Sequence, residues 1–350
     1  MKPIRTLAVS LLAFGLLAWF LRHVHLADVW AQMRAADNST LVWGTLLFFP
    51  MMVIRAARWQ VLMRPIGPVR TWYAWRATLI GFAASNVLPA RIGEVLRPYL
   101  LARSERLDTA STFATVVVER LLDGLAVLAL LALYLSGATG PHPRTPLMAT
   151  IAVSAALVAA GILVLLLVTA LLSARPDRVG RLVRRSELVL PARFALVLAR
   201  LAERFSHGLG VARSPRLLIV SLLWTVGLWL TISAQTWMVS SAFGIEMAPG
   251  ATFLLQALLV IGIAVPTPGG VGGFHEAYRI GVTTFFGAGN DAAVGAGLVL
   301  HAISFVPTTV IGGVLMLRDG LSIGRLRHMA DDSAPAADSG PAAEEGTVAP

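Results

Sequence analysis

The chain has 350 residues, 56% of them hydrophobic and only 14% charged, with a formal net charge of +10 and no cysteine. Stretches 145–174 and 217–245 contain no Asp, Glu, Lys or Arg. Each exceeds the about 20 residues that span a hydrocarbon core, so the chain reads as an all-α, polytopic membrane protein. This composition excludes an open sheet, whose edges go unsatisfied in lipid, and the missing cysteines exclude disulfides, thiolate metal sites and a cysteine nucleophile.

In chain order, Lys2 and Arg5 precede an apolar run that resembles a signal peptide but lacks a small-x-small cleavage site before Arg22-His23-Val24-His25. The run is therefore expected to be an uncleaved helix over 4–22. Further helices are predicted at 39–55, 74–89, 111–135, 147–172, 217–243, 251–266, 274–288 and 292–317. Two joins are not ordinary loops. Residues 74–102 break at Pro89-Ala90-Arg91-Ile92-Gly93 and retreat through Pro98, and residues 251–288 break around Pro266-Thr267-Pro268-Gly269-Gly270-Val271-Gly272-Gly273. Non-helical backbone at membrane depth survives only inside protein or along a cavity, so both are expected to be re-entrant helical hairpins.

The positive-inside rule orients the whole. Residues 175–216 hold ten Arg against Asp177, Glu187 and Glu203, so the Arg-rich loop 173–216 is expected in the cytoplasm. The basic stretch 55–70 and the Arg97–Asp108 join follow it there. Both termini are then cytoplasmic, in a multi-pass protein of the cell inner membrane. Arg22 and Arg34 are left external, against the rule. Residues 1–328 form one integral membrane domain, and 329–350, rich in Ala, Pro, Ser, Asp and Glu, form a disordered cytoplasmic tail. Nucleic acid is not an expected partner, because the basic residues fall between apolar spans rather than on a soluble face.

The two hairpin regions resemble each other. Each has Pro-x-x-x-Gly (Pro89 and Gly93; Pro268 and Gly272) followed by Glu-x-x-Arg (Glu94 and Arg97; Glu276 and Arg279), and aligning the arginines sets Glu119 opposite His301. Their opposite expected orientation is the inverted-repeat plan of secondary transporters. Chance similarity is the competing explanation, since Val-Leu-Pro-Ala-Arg recurs at 189–193 without the following Gly-Glu.

Proline removes a backbone donor and glycine admits unusual dihedrals, so Pro89, Gly93, Pro266, Pro268, Gly269, Gly270 and Gly272 suit helix breaks. Arg91 and Arg97 follow closely, and a guanidinium fork fits a phosphate. They could equally pair with Glu94 or snorkel to headgroups. Glu119 and Asp123 share one helical face, with Arg120 beside it. They are candidates for a counter-charge network or for proton uptake. With Asn86, Glu94, Glu276, Arg279 and His301 these residues make up the candidate substrate-binding set; no catalytic residue, metal or cofactor is expected. Gly269–Gly273 lacks the Gly-Lys-Ser/Thr ending of a nucleotide loop. His275-Glu276-Ala277-Tyr278-Arg279 has Arg where a zinc site needs its second His.

Three blocks together, Asn86-x-x-Pro89-x-Arg91-x-Gly93-Glu94-x-x-Arg97, Glu119-Arg120-x-x-Asp123, and Pro266-x-Pro268-Gly269-Gly270-x-Gly272 with Glu276, resemble the transmembrane family named after the lysylphosphatidylglycerol synthase/flippase, over about residues 4–318. The resemblance implies a membrane domain that moves or modifies polar lipids, with anionic lipid headgroups as partners. Some relatives act as flippases, and others accompany enzymes of lipid or glycan synthesis. The soluble aminoacyltransferase domain of bifunctional relatives is not expected here, which points to a transporter-like protein rather than an enzyme. The leading expectation is polar-lipid translocation through a central cavity between the hairpins. The alternatives are an accessory subunit of an envelope-lipid or isoprenoid-glycan pathway, and an intramembrane transferase using Glu119 or Asp123 as general base.

Overall fold

The computed structural model describes residues 26–88, 91–139, 146–184, 191–264 and 267–320. The expected helix 4–22, the break residues Pro89 and Pro266 and the tail 329–350 lie outside them. Within them the chain is all-helical: α1 (Leu26–Ala35), α2 (Asn38–Leu46), α3 (Phe48–Met63), α4 (Thr71–Val87), α5 (Gly93–Glu105), α6 (Thr109–Leu135), α7 (Pro146–Ala174), α8 (Pro176–Arg184), α9 (Ala192–Gly208), α10 (Pro215–Ala242), α11 (Thr252–Ala264), α12 (Gly273–Phe286) and α13 (Asn290–Arg318). Among the described residues, four helical stretches are long and apolar enough to cross a membrane: 38–63, 146–174, 215–242 and 290–318. Helix α6 matches them in length but carries Glu119, Arg120 and Asp123.

Three expectations need revision. The join 22–38, taken as a loop, contains α1, which docks on α13 through Val29 and Val294. The basic stretch 55–70 is not a loop throughout. Helix α3 runs on to Met63 because its buried stripe of Met51, Met52, Ala56, Trp59, Leu62 and Met63 keeps helical spacing. The Arg-rich segment 173–216 is not a loop either. It folds into α8 and α9, which pack on each other and, through α9, on α6.

Both expected breaks are present, between α4 and α5 and between α11 and α12. Each is flanked by antiparallel helices that touch at a pair of glycines. A Cβ on Gly93 would collide with the Gly81 carbonyl, and a Cβ on Gly262 would collide with the Gly273 carbonyl. Backbones this close tolerate no side chain, the small-residue crossing common to membrane helices. The two units recur in the same order, each followed by a long helix, α6 or α13, packed on it. This correspondence rests on backbone contacts rather than on the shared Glu-x-x-Arg. It gives the fold an internal pseudo-symmetry, and the two units also touch: α13 lies along α4, where Gly312 meets Leu79 and Ala83.

Candidate functional site

Helix α6 places Glu119 and Asp123 one turn apart on its buried face. At about 1.5 Å per residue from Thr109, Glu119 lies roughly 15 Å inside the helix end. Isolated carboxylates there would each cost about 2.5–3.5 kcal/mol on insertion scales, so counter-charges have to converge on them. They come from two other helices. Arg58 on α3, 0% exposed, donates from Nη2 to Glu119 Oε1 at 2.7 Å and from Nη1 to Asp123 Oδ1, with Thr225 of α10 at 3.3 Å. Arg97 on α5 donates from Nη1 to the same Glu119 oxygen at 2.8 Å. The Trp229 indole donates to Asp123 Oδ1 at 3.2 Å.

Arg97 therefore takes Glu119 as its partner, not Glu94. Glu94 stands 3.5 Å from both Arg91 and Arg120, and Arg120 stands 3.7 Å from Asp123. The charges alternate along one path, Arg91–Glu94–Arg120–Asp123–Arg58–Glu119–Arg97, leading from the first break into the protein. Four arginines stand against three carboxylates, so the path carries one excess positive charge. Arg55 adds another. Its guanidinium lies 5.0 Å from the Phe82 ring and has no carboxylate partner among the described residues.

Arg97 is incompletely used. Its guanidinium sits 3.9 Å from the Trp59 ring centroid, a cation–π contact, yet its Nε and Nη2 are buried with no hydrogen-bond partner among the described residues. Nearby Ser85 Oγ, Arg55 Nε and Glu119 Oε2 are in the same state. Unsatisfied polar atoms this deep are costly, so these groups retain hydrogen-bonding capacity that water or a bound group could take up. In the described conformation the cluster is packed closed: Arg97 is 3% and Glu119 1% exposed. The large cavity of about 900 Å³ lies elsewhere, beside α5 and α9.

The two breaks meet. Arg91, held at a positive φ of 52° that a non-glycine residue rarely adopts, donates from its guanidinium to the carbonyl of Ile263 at the end of α11. A Cβ on Gly270 would rest 3.5 Å from the Ile263 side chain, and one on Gly269 would rest 3.5 Å from the Asn86 carbonyl. Asn86 itself donates to Thr309 of α13 at 2.9 Å. His301 of α13 bonds the Gly269 carbonyl at 2.8 Å and stacks on Phe305. Carbonyls freed by the second break are thus taken up by Arg91 and His301, residues from outside that break.

Glu276 and Arg279 stay apart from this network. They pair with each other at 2.5 and 2.8 Å, and Arg279 also reaches Asn290 at 3.2 Å. The alignment of Glu119 with His301 is not an equivalence of contacts, since Glu119 binds guanidinium groups and His301 a carbonyl. Arg58, the most fully engaged residue of the cluster, was absent from the sequence-derived set. Its signal was the helical apolar stripe running past it.

Comparison with known proteins fits this architecture. Residues 6–312 match the family described as the lysylphosphatidylglycerol synthase TM region. The chain belongs to this family. It is also 25% identical over 344 residues to the glycosyltransferase AglD of Haloferax volcanii, covering 89% of this chain and 54% of that protein. A UPF0104 membrane protein of Pyrococcus horikoshii is 25% identical over 309 residues, covering 82% and 89% of the two chains. A UPF0104 membrane protein of Methanothermobacter thermautotrophicus is 23% identical over 299 residues, covering 80% and 85%. The chain thus spans about half the length of the AglD relative and most of the UPF0104 relatives. Among the described residues no group of His, Cys, Asp or Glu has a metal-binding arrangement.

Proposed function

We propose that the protein translocates a polar lipid with an anionic headgroup across the inner membrane, the phosphate being held at Arg97. The observation that carries this reading is the excess positive charge of the buried path together with the idle Nε and Nη2 of Arg97. A phosphate oxygen pair suits such a fork. Hydrophobic neighbours strengthen the attraction by keeping the local dielectric low.

In this reading the α4–α5 and α11–α12 units are opposed re-entrant hairpins of an inverted repeat, with the site between them. Separation of the hairpin tips, at the Arg91–Ile263 contact, opens a path from one face to Arg97. Arg120, balanced by Glu94 and Asp123 until the phosphate arrives, offers a counter-charge along it, and Asn86 and His301 steady the tips, with the Glu276–Arg279 pair to one side. Arg58 holds the two carboxylates in place while Arg97 exchanges between Glu119 and the phosphate. The arginine-rich α8–α9 segment lies on the cytoplasmic side, as do both termini.

A second reading is favoured by the similarity to a protein named a glycosyltransferase: the domain serves an enzyme of lipid-linked glycan synthesis without moving lipid itself. Reconstitution into liposomes with a panel of headgroup-labelled lipids separates the two. Protein-dependent movement of an anionic lipid between leaflets supports translocation, and movement of none favours the accessory role.

A further inference from the structure

Arg55 takes no part in the ion-pair path, yet it points the same way as the residues that do. It stands in the buried stripe of α3, one turn after Met51 and Met52 and one turn before Trp59, and its side chain is still partly accessible. Its Nε is buried with no hydrogen-bond partner among the described residues. Arg97 reaches the same place from α5. Both guanidinium groups border the Phe82 ring of α4, Arg55 at 5.0 Å and Arg97 at 5.8 Å from its centroid, while Arg97 also covers Trp59.

Ser85 lies three residues beyond Phe82, on the same side of α4. The close crossing at Gly93 brings it against the start of α5, where a Cβ on Gly93 would stand 2.5 Å from the Ser85 hydroxyl. Idle donors thus gather around one ring: Arg97 Nε and Nη2, Arg55 Nε and Ser85 Oγ. Water can fill a hydrogen bond but brings no charge. Two positive charges are unmatched here, the excess of the ion-pair path and Arg55 itself. Like charges in apolar surroundings repel strongly, so an anion that meets both gains more than one that meets either.

The kind of phosphate follows from this count. A phosphodiester headgroup offers one negative charge and two free oxygens, enough for the fork of Arg97 alone. A terminal phosphate carries about two charges and three free oxygens, enough for a second guanidinium. We infer that, with Arg97 read as the phosphate-holding residue, Arg55 is the second cation of the same site and selects lipids ending in a terminal phosphate over phosphodiesters.

The test compares two short-chain lipids that differ by one methyl group. Dihexanoyl phosphatidic acid ends in a terminal phosphate, and dihexanoyl phosphatidylmethanol is the diester with one oxygen capped. Calorimetric titration of the full-length protein in a non-ionic detergent at pH 8 is expected to give at least about tenfold tighter binding of phosphatidic acid, the worth of one more charge-assisted hydrogen bond. Arg55→Gln is expected to bring phosphatidic acid down to the level of the diester. Arg55→Lys keeps the charge without the fork; it is expected to narrow the preference and replaces the first variant if that one does not fold. Arg200→Gln, on the exposed side of α9, is expected to leave the preference intact. Farnesyl phosphate is run beside phosphatidic acid, and the tighter of the two identifies an isoprenoid or a glycerolipid body. Equal affinity for acid and diester, or an unchanged preference in Arg55→Gln, would overturn the selectivity and leave Arg97 its phosphate. Binding of neither lipid would remove both. A binding preference without lipid movement in liposomes would end the translocation reading and keep this site.

Discussion

Replacing Arg58 with Met tests whether the buried charges behave as one unit. The side chain is 0% exposed and bridges Glu119 and Asp123. Without it, Asp123 keeps the Trp229 indole at 3.2 Å and the distant Arg120, and Glu119 keeps only Arg97. Removing one partner from a buried ion pair costs about 3–5 kcal/mol, most of it from the charge left behind. Methionine fills similar volume, so little cavity cost is added. The expected loss is therefore about 3–5 kcal/mol, read from equilibrium unfolding in mixed micelles with rising dodecyl sulfate fraction and tryptophan fluorescence as signal. Adding Asp123→Asn to Arg58→Met removes the abandoned charge, and the pair is expected to couple by about 1–3 kcal/mol. A loss below about 1 kcal/mol, or additive effects, would refute the network.

Two other predictions concern the frame around the cluster. Gly93→Ala drives a methyl into the Gly81 carbonyl and Ser85, whereas Gly161→Ala on α7 meets open space. The first is expected to lose at least about 1–3 kcal/mol in the same assay and the second to be neutral or mildly stabilising; equal effects would contradict the α4–α5 crossing. For orientation, Arg200→Cys is expected to be shielded from an impermeant thiol reagent in intact cells, and Ala138→Cys to react. The opposite pattern would invert the topology.

Much of this fold was legible in the sequence because lipid punishes irregular backbone. The long uncharged runs predicted α7 and α10, and the proline–glycine clusters predicted both breaks. The pairing of Glu119 with Asp123 pointed to the buried cluster, since two acids on one apolar helix face demand partners. Arg58 was missed because charge counting assigned every basic residue near the end of a span to a loop. The apolar positions Ala56, Trp59, Leu62 and Met63 continue the helix on either side of it. The same habit hid α9, whose Leu198, Leu201, Ala202 and Phe205 repeat at helical spacing among the arginines. The meeting of the two breaks through Arg91 and Ile263 is a long-range contact, and nothing in the local spacing of either segment encodes it.

The central claim is that Arg97 is the functional cation and Arg58 the structural one, and lipid movement by Arg97→Gln measures this most directly. Vesicles carrying a labelled anionic phospholipid are treated with an impermeant reductant that bleaches only outer-leaflet label. The wild-type protein is expected to bring inner-leaflet label to the surface. Arg97→Gln, still folded because Glu119 keeps Arg58, is expected to slow that movement at least about tenfold. Wild-type rates from a folded Arg97→Gln protein, or no protein-dependent movement at all, would contradict the account.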